Sequence, residues 1–177
     1  VQNMSNFTSY EKLCAGHTIL NSASAGSGTA PDRAETVNKW ANTSNQANIF
    51  SFDQGNWNSG SEMVVLGYDP DDTEGTSVWE ELASVELGST ADEINSGTFT
   101  AKKYLMVQLH GVASGSISGS DLQFNGDTGS NYARRYSANG ASDGTGTSET
   151  ALGGIGTARG NSFVNWFIKN KSDKEKL

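Results

Sequence analysis

The segment TFTAKKYLMVQLHGV, residues 98–112, indicates the fold of this chain more clearly than any other stretch. In its second half, apolar Leu105, Val107 and Leu109 alternate with more polar neighbours. Alternation with a period of two residues is typical of a strand that turns one face to a core. The pattern predicts a long strand, although two adjacent lysines interrupt it, and it places these three side chains in the core.

The other apolar runs are also short, and most of them end at turn-forming residues. MVVLGY, residues 63–68, stops at Asp-Pro-Asp-Asp, and the alternating apolar residues of 78–87 favour a strand over a helix. For 33–40 a single helical turn is the alternative to a strand. Further strands are expected at 11–20, 49–52, 117–124, 132–136 and 163–168. Phe124 and Trp166 are expected to join the core.

Many short strands with Gly-rich turns predict an all-β fold. The specific expectation is a two-sheet antiparallel sandwich, jelly-roll-like, that forms a single domain over residues 1–177. Four tryptophans spread along the chain indicate a packed core despite its high glycine content.

Charge and hydropathy narrow the class of partner. The chain has 20 acidic and 12 basic residues, and its net charge of −8 argues against a nucleic-acid partner. We find no window of 18 apolar residues, so no membrane partner is expected, and no secretion leader is visible.

Residues 137–162 hold seven glycines and two large aliphatic side chains, Leu152 and Ile155. So few apolar groups predict a long surface loop, or an arm that orders against a neighbouring subunit. In the second case Leu152 and Ile155 are the oligomer contacts, and the sandwich should stay folded without residues 140–160. The lysine-rich tail, 169–177, would then meet the stretch 40–101 of another copy, which has eleven acidic residues and no lysine or arginine.

An acidic turn follows the MVVLGY run. Hard oxygen ligands in a loop suit Ca²⁺, so calcium is a candidate cofactor here, with the ligand candidates Asp69, Asp71, Asp72 and Glu74. The alternative is an acidic turn that stabilises its own backbone, because the EF-hand spacing is absent. No other cofactor is expected.

The chain has one cysteine and two histidines, so it offers few of the side chains that bind zinc or act as catalytic bases. Cys14 and His17 form a C-x-x-H pair without a second ligand pair, so a buried structural cysteine is favoured over a zinc site. The second histidine, His110, lies on the long predicted strand. Gly-Ser-Ile-Ser-Gly at 115–119 has Ile where a nucleophile elbow needs serine. We therefore expect no enzyme activity and assign no catalytic residue.

Trp57, in the turn cluster GNWNSG at 55–60, is a candidate for stacking on a sugar ring. The alternative is that its ring folds back over the sandwich core, because large aromatic side chains are mostly buried.

The stretch LQFNGDTGSNY, residues 122–132, resembles the motif F-N-G-D-x-G-x-N-Y of β-rich structural proteins from tailed phages and related environmental viruses. Pieces at 39–44, 60–69, 79–85 and 99–109 look similar to the same group, so the resemblance touches residues 39–136. Physically, the motif predicts a structural turn, in which Asn-Gly supplies positive φ and the following polar side chains cap backbone N–H groups. The turn residues are Asn125, Gly126, Asp127 and Asn131.

The resemblance implies a non-catalytic virion structural protein, a capsid, decoration or tail-associated component. Its partners would be copies of itself and other virion proteins, and its location the virion, assembled in the host cytoplasm. The alternative is a carbohydrate-binding module, free or as a receptor-binding virion part, with a cell-surface glycan as its partner.

Overall fold

The computed structural model describes residues 12–20, 32–42, 45–53, 56–68, 79–112, 116–117, 120–155, 158–159 and 161–170. Within these residues every regular element is a β-strand. The strands are β1 (Lys12–Leu20), β2 (Asp32–Trp40), β3 (Phe50–Asp53), β4 (Glu62–Tyr68), β5 (Glu80–Glu86), β6 (Ile94–Asn95), β7 (Tyr104–Gly111), β8 (Ser116–Ile117), β9 (Ser120–Phe124), β10 (Tyr132–Ala138), β11 (Gly144–Glu149), β12 (Leu152–Ile155), β13 (Ala158–Arg159) and β14 (Ser162–Lys169).

Two antiparallel sheets pack face to face, as predicted. The larger has eight strands in the order β11-β10-β2-β1-β14-β7-β4-β5, and the smaller has four in the order β12-β9-β3-β6. A third pair, β13 and β8, forms a short ribbon. Because β12 contacts β2 and β10, and β6 contacts β4, the small sheet covers one face of the large sheet. The opposite face of the large sheet is called the outer face below.

The core lies between the two sheets and is built by the alternation seen in the sequence. The strands β1, β4, β7 and β14 bury every second side chain, as β7 does with Leu105, Val107 and Leu109. Phe124 reaches the same core from the small sheet, and Trp166 reaches it from β14. All five predicted core residues are at most 1% exposed.

The predicted strands at 33–40 and 78–87 are strands β2 and β5. The strand expected within residues 98–112 is shorter than predicted. Strand pairing begins only at Tyr104, after the two lysines. Its first part still packs on the fold. Phe99 is buried against Phe50, with the ring centroids 5.5 Å apart, and its N–H donates to the carbonyl of Asn48 at 3.0 Å.

The expectation of a long loop at 137–162 is not met. Strand β10 continues to Ala138, and β11 returns along it after a turn in which Asn139 and Gly140 have φ of 50° and 75°. The N–H of Ala141 closes this turn on the carbonyl of Ala138 at 2.8 Å. Backbone hydrogen bonds and an Asn-Gly turn build this hairpin, so a count of apolar side chains could not reveal it.

Leu152 is fully buried, and β12 joins the small sheet beside β9. It therefore belongs to the core of its own chain and is not an exposed anchor for a neighbour. The side chain of Ile155 lies outside the described residues, as do residues 171–177 of the basic tail. Removing residues 140–160 would take out β11, β12 and β13 together with the core residue Leu152, so the sandwich is not expected to survive that deletion.

One close contact at the centre of the large sheet depends on glycine. Gly16 on β1 is paired with Trp166 on β14, and the indole lies directly against the Gly16 backbone. A Cβ at position 16 would lie 2.6 Å from Cε3 of Trp166, which is closer than any non-bonded carbon contact allows. The indole is 1% exposed, so packed neighbours limit how far it can move aside.

We predict that Gly16→Ala lowers the free energy of unfolding by about 1–3 kcal/mol, the usual cost of overpacking a filled core. Gly88→Ala is the matched control, because a Cβ at Gly88 has no atom within 4 Å, and it should change stability by less than about 0.5 kcal/mol. Urea denaturation of both variants measures the difference. Equal stability of the two variants would contradict the tight Gly16–Trp166 contact.

Candidate functional site

The motif at 122–132 forms the corner at which the chain passes from one sheet to the other. Asn125 and Gly126 have φ of 55° and 66°, and the N–H of Asp127 donates to the carbonyl of Phe124 at 2.9 Å. These are the features of a type I′ turn. The strands on either side are not paired with each other: β9 lies in the small sheet and β10 in the large one. The Asn-Gly turn therefore begins a connection between two layers, although this dipeptide is typical of a hairpin between paired strands.

Asn125 holds a neighbouring segment against this corner. Its Oδ1 accepts hydrogen bonds from the N–H groups of Asn48 at 2.8 Å and Ile49 at 3.1 Å, and its Nδ2 donates to the carbonyl of Gln46 at 2.8 Å. Its own backbone N–H donates to the carbonyl of Ile49 at 2.9 Å. The side chain of Asn125 thus holds residues 46–49, which lead into β3, and its backbone adopts one of the positive φ angles of the turn.

The Asp127 carboxylate gathers three donors on the other side of the corner. Oδ2 accepts from Nε1 of Trp40 at 2.6 Å, and Oδ1 accepts from the N–H of Gly129 at 2.9 Å. Nδ2 of Asn131 lies 3.1 Å from both oxygens. Burial acts to raise the pKa of Asp127, but these hydrogen bonds outweigh it and hold the pKa below its usual value.

Aromatic packing completes the corner. The hydroxyl of Tyr132 donates to the carbonyl of Asp127 at 2.9 Å and accepts from the N–H of Phe124 at 3.2 Å. Trp40 stacks on Tyr132 with ring centroids 6.4 Å apart and meets Phe124 edge-on at 5.3 Å. The polar side chains of Asn125, Asp127, Asn131 and Tyr132 bind groups of the chain itself, so the motif acts as a structural joint.

Trp57 does not form a sugar platform. It is fully buried, and its Nε1 donates to the carbonyl of Phe52 at 3.1 Å. Its backbone bridges to Ala91 through two hydrogen bonds, and its indole packs against Gly111 of β7. The ring closes one end of the core, which is the alternative stated from the sequence.

Cys14 and His17 cannot share a metal ion, because they lie on opposite faces of β1. Cys14 is buried in the core, and burial raises the pKa of its thiol. His17 points outward, as does His110 on β7. Among the residues described, no group of three or more potential metal ligands comes together. The calcium candidates Asp69, Asp71, Asp72 and Glu74 lie outside the described residues.

The outer face of the large sheet exposes large apolar side chains, which the sequence reasoning did not single out. They are Ile19, Val37, Phe163 and Phe167. The signal for two of them is visible in β14, SFVNWFIK, where Phe163-Val164 and Phe167-Ile168 put apolar residues at adjacent positions and hence on both faces of the strand.

No helix in the described part of the chain is long and apolar enough to cross a membrane. Comparisons with protein-family models, with curated proteins and with solved structures give no match.

We predict that Asn125→Ala destabilises the fold by about 2–4 kcal/mol, because it removes three side-chain hydrogen bonds at a partly buried corner. Asn139→Ala is the control: Asn139 also has positive φ, but it lies in an exposed turn where its Oδ1 accepts from the N–H of Arg33. It should cost about 1 kcal/mol. Equal losses in chemical denaturation would show that positive φ alone accounts for the role of Asn125.

We predict that the stability difference between the native chain and Asp127→Asn depends on pH. Because the folded-state pKa lies below the unfolded value of about 3.9, the carboxylate stabilises the fold above that pH. This contribution is lost as the pH falls through the folded-state pKa. Denaturation from about pH 7 to about pH 3 should show the difference shrinking.

Asp143→Asn provides the control for this series. Asp143 forms an exposed ion pair with Arg135, with 3.4 Å between Oδ2 and the guanidinium nitrogen. Exposed pairs contribute little, so this variant should match the native chain across the series. A difference for Asp127→Asn that is constant with pH would contradict a stabilising charge at the corner.

Proposed function

We propose that this chain is a non-catalytic virion structural protein that acts by assembling in many copies. The observation that carries the proposal is the outer face of the eight-stranded sheet. Four large apolar side chains on this face, Ile19, Val37, Phe163 and Phe167, are 43% to 57% exposed. Exposed apolar groups gathered on one face are typical of protein–protein contact surfaces.

The corner motif supports the same proposal. Its polar residues hold the two sheets together, which suits a scaffold whose function is its shape. The resemblance to virion β-proteins supplies the setting: a capsid, decoration or tail-associated position, other virion proteins as further partners, and the virion as the location. The glycan-binding alternative has lost the side chain on which it rested, because Trp57 is buried.

We predict that the purified chain forms discrete oligomers in sedimentation velocity runs. At high concentration it should also form ordered assemblies larger than a dimer, visible as rings, tubes or shells by negative-stain electron microscopy. The physical reason is that association removes the apolar outer-face side chains from water. A single monomer species over the whole concentration range would contradict the proposal. A monomer that binds glycans on an array would favour the carbohydrate-binding module.

A further inference from the structure

We propose that the outer face of the eight-stranded sheet binds the same face of a second copy of this chain, around a two-fold axis that runs along β14. This inference rests on the proposed function in that it names the partner and the surface that assembly would use. It is carried by the order of side chains across the outer face, which the strand register fixes.

The centre of the face carries two exposed phenylalanines, separated by the polar row of His17, Asn165 and Gln108. Strand register places Phe163 beside Ile19 on one row, and places Phe167 between Ala15 and Met106 on another. Both phenylalanines belong to β14, near the middle of the sheet. Exposed aromatic side chains at the centre of a face are the usual anchors of protein interfaces.

The two flanks carry opposite charge. On β4 and β5 the outward charged residues among those described are Glu62, Glu81 and Glu86. On β2 and β10 the outward charged residues are Arg33, Lys39 and Arg135, against one acid, Glu35. Arg33 and Arg135 also form exposed ion pairs with Glu35 and Asp143 of the same chain, and such pairs contribute little. The face is therefore acidic on one side of β14 and basic on the other.

This arrangement is self-complementary. A two-fold axis along β14 lays β4 over β2 of the second copy and β5 over β10, because these strands lie at equal distances from β14 in the sheet order. Row by row, Glu62 then faces Arg33 of the second copy. On another row Glu81 faces Arg135. A two-fold contact makes each pair twice.

The same axis also matches apolar residues. Leu66 on β4 shares its row with Val37 on β2, so the two meet across the interface, and Phe163 and Phe167 each meet their own counterpart. An axis in the plane of the sheet but perpendicular to the strands would instead stack the acidic flank on itself. Like-charge contact of that kind is disfavoured, so the charges of the two flanks select the axis parallel to the strands. This axis also brings Lys169 of β14 next to its own counterpart, at the end of the strand.

The size of the face suits such a dimer. Seven overlapping strands about 4.8 Å apart, with up to four outward residues per strand about 6.8 Å apart, give roughly 900 Å² per copy. A specific interface of standard size buries about 800 Å² per partner. Pairing through the edge strand β5 is a weaker route, because β5 carries three glutamates and its pairing with β4 has a register shift.

The test uses two charge-reversal variants of the full chain. The first, Glu62→Arg/Glu81→Arg, makes both flanks basic. The second, Arg33→Glu/Arg135→Glu, makes both flanks acidic. Each variant alone should raise the dimer dissociation constant at least about tenfold, because like charges then face each other. An equimolar mixture should restore association, since every reversed pair is again matched between the two variants.

Asp92→Arg is the control, an exposed charge reversal just before β6 of the small sheet. It should leave the dissociation constant unchanged. Sedimentation equilibrium gives the constants, and melting curves check that each variant is folded. Rescue by mixing cannot come from misfolded chains, so it identifies the interface directly.

The outcomes separate this inference from the proposed function. Loss of association in each variant and rescue in the mixture support the two-fold contact. If larger assemblies form and none of the charge-reversal variants changes them, the two-fold contact is wrong and the proposed function is still supported. A charge-sensitive dimer with no larger assembly supports the contact and overturns the virion role. A native chain that is monomeric at every concentration overturns both.

Discussion

The hydrogen bond from the indole of Trp40 to the carboxylate of Asp127 joins the two sheets at the corner on which the sandwich depends. Trp40 ends β2 of the large sheet, and Asp127 closes the turn that leaves β9 of the small one. The same carboxylate orders the following residues up to the start of β10. The connection between the layers is residues 125–131, and these hydrogen bonds fix its shape, so it leaves little freedom in how the layers meet.

The fold class could be predicted from local signals: β7 shows alternation of apolar residues, and β4 is a short apolar run that ends at turn-forming residues. The hairpin of β10 and β11 was missed because its stability comes from backbone hydrogen bonds and the Asn139-Gly140 turn, not from apolar side chains. The Asn125-Gly126 turn was recognised, but its connection was not, since the same dipeptide can join two paired strands or two layers.

The candidate sites illustrate a different limit. The local sequence around a tryptophan in a turn cluster does not show whether its ring points to solvent or into the core. The ring of Trp57 is buried because it packs on Gly111, a residue distant in sequence. The outer face was missed for a related reason. Its apolar and charged residues come from seven strands that are distant in sequence, so their arrangement on one surface exists only after the sheet has formed.

The pairing of β1 with β14 has a consequence for how the chain is made. Cys14 lies opposite Ile168, so the centre of the large sheet is closed by segments about as far apart in sequence as the chain allows. Such topology implies slow folding, because a long loop must close before its contacts form. On the ribosome, β1 and β7 have unpaired edges until β14 emerges. During synthesis the growing chain therefore exposes strand edges that can pair with other chains, and rapid completion of β14 protects against aggregation.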